Sequence, residues 1–451
     1  MRTMNAAERM SGTPSKASAT EIAAVASHVL LPVLAGGAIV RRPRGMHLVE
    51  RTQWDRRGID LARTLRDRHG PGPLYITARG RPAALVLDPA DAHRILTETP
   101  EPFTPASQEK IGSLAQFQPH GVLISSGRDR ERRRAFHEAV LQTPHPLHGM
   151  AGDVARKAAE EADQLLHGAE QSGELAWEEF HAAWWRLVRR IVLGDGARDD
   201  TVLTAQLDRL RSAANWSVLS SRRHELRGAF MDRLRHHLGR AESGSLAAEV
   251  ARMPAEPGTD PVGQVPHWLF AYDAAGIATL RALALLASHP DQAALVRGEL
   301  AGYEPGIPQE LPFLRACALE SVRLFPTTPL LLRESTEETW WGGEPLPAGT
   351  TFVLYTPYLH RAEPAAPHSD SFVPHIWRDG EARTNPALVP FSSGPAGCPG
   401  ENLVLLTVSS LLAALLHRHT YTLTSTPSLH PTRAVPATLD HFTLRFRVHR
   451  G

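Results

Sequence analysis

Between residues 127 and 290, apolar residues recur at helical spacing almost without a break. The chain there reads as successive helices at 128–141, 150–167, 175–193, 201–219 and 222–241. A Gly- and Pro-rich connection at 254–266 leads into a long apolar helix at 268–288, with further helices around 292–300 and 309–324. Alternation with period two marks short strands between Pro/Gly turns at 330–356 and again at 421–448. Nearer the start, a helix at 51–69 stops at Gly70-Pro71-Gly72, and runs at 74–77 and 83–87 flank a hairpin turn, Ala78-Arg79-Gly80-Arg81. Asp88 and Pro89 then open a helix at 90–97. The pattern predicts a mainly α body with small β lobes near each end.

Residues 1–20 are rich in Ser, Ala and Thr without periodicity, and are expected to be disordered. Residues 22–40 are mostly apolar and precede Arg41-Arg42-Pro43-Arg44. A membrane-spanning helix needs about 20 predominantly apolar residues, and His28, Pro32 and Gly36-Gly37 interrupt this one. The expectation is an apolar lead-in that packs on the body without stable membrane insertion. This divides the chain into a tail and lead-in at 1–45 and one domain at 46–451, with no internal repeat.

Composition narrows the function classes. The 451 residues suffice for a large core, and no long linker divides them. Lys+Arg 49 against Asp+Glu 48 leave a charge of +1, so no nucleic-acid partner is expected. The two cysteines, Cys317 and Cys398, are too few for a disulfide framework and fit a reducing, cytoplasmic setting. A monomer is expected.

Chemistry concentrates at 391–400, F-S-S-G-P-A-G-C-P-G. Three glycines and two prolines set Cys398 on a tight loop just before an apolar helix, where backbone N–H groups can point at the sulfur and lower its pKa. The bland alternative is a buried, inert thiol in a helix-entry turn. Glu320 and Arg323 sit three residues apart on one helix face and can pair, and Arg333 follows on a strand. Arg130, Arg132, Arg133 and Arg134 open another helix and read either as a solvated basic face or as something more specific.

The pattern F-x-x-G-x-x-x-C-x-G resembles the haem-binding loop of the cytochrome P450 family, and further matches run from about residue 46 onward. The resemblance implies a two-lobed triangular fold. It implies haem b held by Cys398 within the loop 391–400, with Phe391 beside the ring and Gly394 and Gly400 shaping the turn. Glu320-x-x-Arg323 looks like the family's buried pair supporting that loop. The family often adds an arginine from a Pro-x-Arg-aromatic segment, but Pro374-His375-Ile376-Trp377 has Ile376 there, so that the third partner is either lost or replaced by His375. Arg333 and Arg134 resemble propionate-binding arginines. Ala396 stands where a basic residue is usual, and Arg130 is the cation that offsets it, while Arg132 and Arg133 suit docking of an acidic electron donor.

Counting sixteen residues back from Pro290 places Asp273 and Ala274 where the family usually carries an acid and a threonine that help deliver protons during oxygen activation. Asp273 is then expected to be a proton relay, and Ala274 lacks the hydroxyl. A rival register puts Thr279 there instead. Phe117, within the loop 103–124, Ala271 and Leu330 are expected to line the substrate pocket. The activity implied is insertion of one oxygen atom from O2 into a small apolar molecule, a step of secondary metabolism, with electrons from a separate ferredoxin and ferredoxin reductase. Ala274 motivates an alternative that uses peroxide or rearranges its substrate. A non-catalytic helper of the same fold is a second alternative, against which Cys398, Glu320 and Arg323 argue.

Overall fold

The computed structural model describes residues 12–78, 80–216, 222–362, 368–425 and 429–451. The helices form where the apolar periodicity places them: Gly127–Val140, Ala151–Ser172, Trp177–Leu193, Thr201–Ala214, His224–Arg240, Pro261–Ser288, Pro312–Leu324 and Glu401–Leu416. Residues 217–221, which include the expected end of one helix, lie outside the described residues.

Pro261–Ser288 is apolar on nearly every face, and a helix of that kind belongs inside. It packs against Trp177–Leu193, Pro312–Leu324 and Glu401–Leu416, while Glu401–Leu416 lies along Ala151–Ser172. These helices enclose the larger of two main apolar clusters.

The second main cluster lies under a six-stranded sheet ordered Ser15–Lys16, Leu74–Ala78, Arg81–Val86, Thr351–Tyr355, Leu330–Ser335 and Phe103–Thr104. Its register sets Leu74 opposite Leu85 in the hairpin, and Leu85 opposite Val353 in a parallel pairing. Smaller sheets join His419–Leu423, Arg445–Arg450 and Leu175–Ala176, and Thr339–Trp341 with Glu344–Leu346. The result is a helical lobe and a β-rich lobe.

The start of the chain corrects an expectation. Among residues 12–20, which compositional bias reads as disordered, Ser15–Lys16 pair in parallel with Leu74 and Tyr75, and a helix begins at Ala19. That helix forms because Ser18 and Glu21 make a capping box, and Glu21 also accepts from Arg68 and His69. The lead-in continues through Ala26–Leu30 and Leu31–Gly36, burying Val25, Val29 and Val33 while Leu31 and Leu34 stay exposed. Ala19–Gly36 and Pro261–Ser288 are both long and apolar enough to cross a membrane, and 78% of the second is buried inside the protein. The division at residue 46 falls within the helix Pro43–Thr52.

Candidate active site

The loop at 391–400 is held from below by a short 3-10 turn, Gly394–Ala396, and runs directly into Glu401–Leu416. Gly394 has φ +66°, and a Cβ there would lie 2.1 Å from the carbonyl oxygen of Leu96, so the position demands glycine. Gly400 has ordinary geometry, and a Cβ would meet only Leu141 at 3.5 Å. Phe391 packs on the helical core, and its carbonyl accepts from the Cys398 N–H at 2.9 Å.

Cys398 is partly exposed, yet closely surrounded by protein. Burial pushes its thiol up to about 11, against the pull of the Gly400 N–H and of Arg134. The lowered pKa expected from the loop is therefore corrected: desolvation outweighs the hydrogen bond until a cation sits on the sulfur.

Beneath the loop, Glu320 and Arg323 are 0% and 2% exposed, and their bidentate bonds measure 2.6 and 2.7 Å. Arg323 also donates to the carbonyls of His360, His368, Ser369 and Ser371. Glu320 accepts from the Val373 N–H at 2.9 Å and from Trp377 Nε1 at 2.8 Å. The third partner is thus Trp377, one residue past Ile376. His375 instead stands edge-on to His368, so the expectation that it fills the place is corrected.

Above the loop lies a group of cations. Arg333, 2% exposed, reaches only neutral acceptors: Thr99 Oγ1, the Leu332 carbonyl and Ser392 Oγ. Arg130, 5% exposed, donates to the Pro395 carbonyl, next to Ala396. Arg134 donates to the Gly397 carbonyl at 2.5 Å and pairs with Glu138. Lys110, which the sequence does not flag, holds the carbonyls of Pro105 and Leu332.

Burial, with Arg130 beside it, lowers Arg333 to about 10. Burial and the charges of Arg333 and Arg130 push Lys110 well below its ordinary value. The carboxylates set against these four cations are Glu138 and Glu109, both about half exposed. Buried cations without anions are costly. A bound group carrying two carboxylates would supply the missing charge, and haem b with its propionates is such a group.

Arg132 and Arg133 are not a free docking face. Arg133 is buried, donating to Ser125 Oγ and the Gly258 carbonyl, and Arg132 is tied to Pro257 and Asp129.

Near Cys398 runs the helix Pro261–Ser288, whose Tyr272 lies within electrostatic reach of the sulfur. His267, Phe270, Ala271, Asp273 and Ala274 are partly open positions between buried neighbours in its middle. Phe117 is fully buried and meets Phe270 at 5.5 Å between ring centroids, and Leu330 is half-buried at the start of its strand.

Contacts distinguish the two candidate positions. Thr279 is fully buried and its hydroxyl is spent on the Ala275 carbonyl, while Trp184 covers Gly276 so closely that a Cβ there would lie 2.7 Å from the indole. Trp184 Nε1 also donates to the Tyr272 carbonyl at 2.8 Å. Ala274 is partly open where Thr279 is not. The Oδ2 of Asp273, the acid expected to relay protons, accepts from Arg211, itself 1% exposed and also bonded to Asp208.

Residues 272–436 match the sequence profile of the family described as Cytochrome P450. Relatives include Cytochrome P450 4c3 of Drosophila melanogaster, 31% identical over 112 residues, which is 24% of this chain and 21% of the relative. The mitochondrial 1,25-dihydroxyvitamin D(3) 24-hydroxylase of Mus musculus is 33% identical over 112 residues, 25% and 22% of the two chains. These matches span about a fifth of the length of each relative. Among solved structures, retinoic acid bound cyanobacterial CYP120A1 superposes with TM-score 0.70 at 17% identity, covering 87% of this chain and 94% of that one.

Proposed function

We propose, from the premise that this chain belongs to the cytochrome P450 family by its match over residues 272–436 and has that family's fold, that it is a haem-thiolate monooxygenase acting on a small apolar molecule. Cys398 is the ligand to the metal, and Arg130, Arg134, Arg333 and Lys110 hold the propionates. Bound haem b supplies the activation of O2 and the transfer of one oxygen atom.

The chain's own residues do the rest. Cys398 would hold the group as a thiolate, a form that the Gly400 N–H and Arg134 favour. Phe270, Ala271, Ala274 and Leu330 present partly open apolar surface that excludes water and suits an apolar substrate, with Phe117 packed behind Phe270. We assign the supply of electrons to a ferredoxin with its reductase. We place the protein in the cytoplasm as a monomer, with residues up to 45 serving as a lead-in to the catalytic body.

The observation that carries this reading is the Cys398 loop bonded to Arg130 and Arg333, buried cations with no ion pair among the described residues. Its test is the absorption spectrum of the reduced, carbon-monoxide-bound protein, which should show the long-wavelength band of thiolate ligation. Cys398→His should shift that band to the imidazole position or lose the haem. An imidazole-type band in the unaltered protein would overturn the assignment. A second reading, use of peroxide or rearrangement of a bound substrate, is favoured by Ala274 and by the Asp273–Arg211 pair, and turnover on peroxide alone against turnover with ferredoxin and NAD(P)H separates the two.

A further inference from the structure

Apart from the Cys398 loop, three potential ligands meet where the helix Pro43–Thr52 touches the segment before the last strand. His47 and Glu50 lie on one face of the helix Pro43–Thr52, and Asp440 precedes the 3-10 turn His441–Thr443. One ligand atom from each lies within 4.8 Å of the others. Asp440 is 0% exposed, and its Oδ1 accepts from the Phe442 N–H at 3.1 Å while its Oδ2 has no partner. Glu50, 7% exposed, accepts from the Asp440 N–H at 2.7 Å. A backbone N–H thus fixes each carboxylate through one oxygen, the kind of outer support that orients metal ligands.

We propose that His47, Glu50 and Asp440 form a structural site for a divalent transition ion of the Zn2+ type, tying the helix Pro43–Thr52 to the segment that enters the last strand. Two buried carboxylates side by side require a counter-charge. Arg281 is the neighbouring cation, but its guanidinium is spent on the carbonyls of Leu439 and Phe325 and gives neither carboxylate a hydrogen bond. One imidazole nitrogen with two carboxylate oxygens is a donor set that suits Zn2+ better than Ca2+, which takes six to eight oxygens. Ligand bonds of about 2.0–2.2 Å require the three atoms to draw together slightly. His47 is the exposed member and can turn inward, leaving water to complete the tetrahedron from the solvent side.

The test is a calorimetric titration of the full chain with ZnCl2 after treatment with a chelator, alongside thermal unfolding with and without the ion. We expect one site whose occupation raises the unfolding temperature. His47→Ala, at an exposed position that folding does not need, should weaken it at least about tenfold, and Asp440→Asn should remove it. Equal Zn2+ affinity and equal stabilisation in the unaltered chain and in His47→Ala would overturn the site, since uptake would then lie on other histidines. Equal stabilisation by CaCl2 would overturn the ion class. No uptake by the unaltered chain, together with a more stable metal-free Asp440→Asn, would show that a shared proton occupies the place.

Discussion

In the helix Pro312–Leu324, the acid Glu320 and its base Arg323 come from one turn, and almost no surface of either reaches water. In the helix Pro261–Ser288, Asp273 meets Arg211 from a different helix, is itself 17% exposed, and shares its partner with the partly exposed Asp208. The first pair is a fixed beam: its remaining bonds end on backbone carbonyls and N–H groups and on Trp377, so the segment at 368–377 cannot move without breaking them. The second is a clasp between two helices with a spare carboxylate. Rigid contacts thus hold the segment after the helix Pro312–Leu324, and exchangeable contacts hold the helix Pro261–Ser288.

The contrast can be broken by charge removal on each side. Glu320→Gln leaves Arg323 buried without its counter-charge, and deleting one partner of such a pair costs about 3–5 kcal/mol. Asp273→Asn keeps an acceptor for Arg211, and Asp208 remains, so its cost should stay below about 1 kcal/mol. Denaturant midpoints measure both. Equal costs would mean that the two walls are built alike.

Trp377 sharpens the same contrast at the next smaller scale. Trp377→Phe removes the indole donor to a buried carboxylate and should cost about 1–3 kcal/mol, whereas His375→Ala should lie within about 0.5 kcal/mol of the unaltered protein. A larger loss for His375→Ala would restore the histidine as the third partner.

These sites differ also in how far the sequence reveals them. The Cys398 loop, the Glu320-x-x-Arg323 pair and the stop at Gly70-Pro71-Gly72 are legible because their geometry is local, set by turn residues and by spacing along one helix. Trp377 on Glu320, Lys110 beside Arg333 and Arg211 on Asp273 are not legible, since each partner arrives from a distant segment through tertiary packing. Ser18 and Glu21 show the opposite case: the capping box is written in four consecutive residues, yet the Ser/Ala/Thr-rich surroundings read as disorder. Of the three loop glycines, sequence cannot tell that Gly394 alone is forced, because the obstructing Leu96 carbonyl belongs to another helix.

The smallest structural change tests the largest functional claim about the distal wall. Ala274 is partly open, so Ala274→Thr adds a methyl and a hydroxyl without entering a fully packed interior, and stability should change by less than about 0.5 kcal/mol. The new hydroxyl has a ready acceptor in the Phe270 carbonyl one turn back, the bond that Thr279 already makes to Ala275 at 2.7 Å. A proton donor must come within about 2.6–3.2 Å of its acceptor, directly or through one water. An alanine methyl cannot serve, and Asp273 is occupied by Arg211. Restoring the hydroxyl should therefore raise the fraction of consumed NAD(P)H that appears as product and lower the release of hydrogen peroxide, measured with the native substrate and ferredoxin. An unchanged ratio would mean that protons reach the site without residue 274, from the substrate or an ordered water. Unchanged coupling together with efficient turnover on peroxide alone would make the peroxide-using reading the better one.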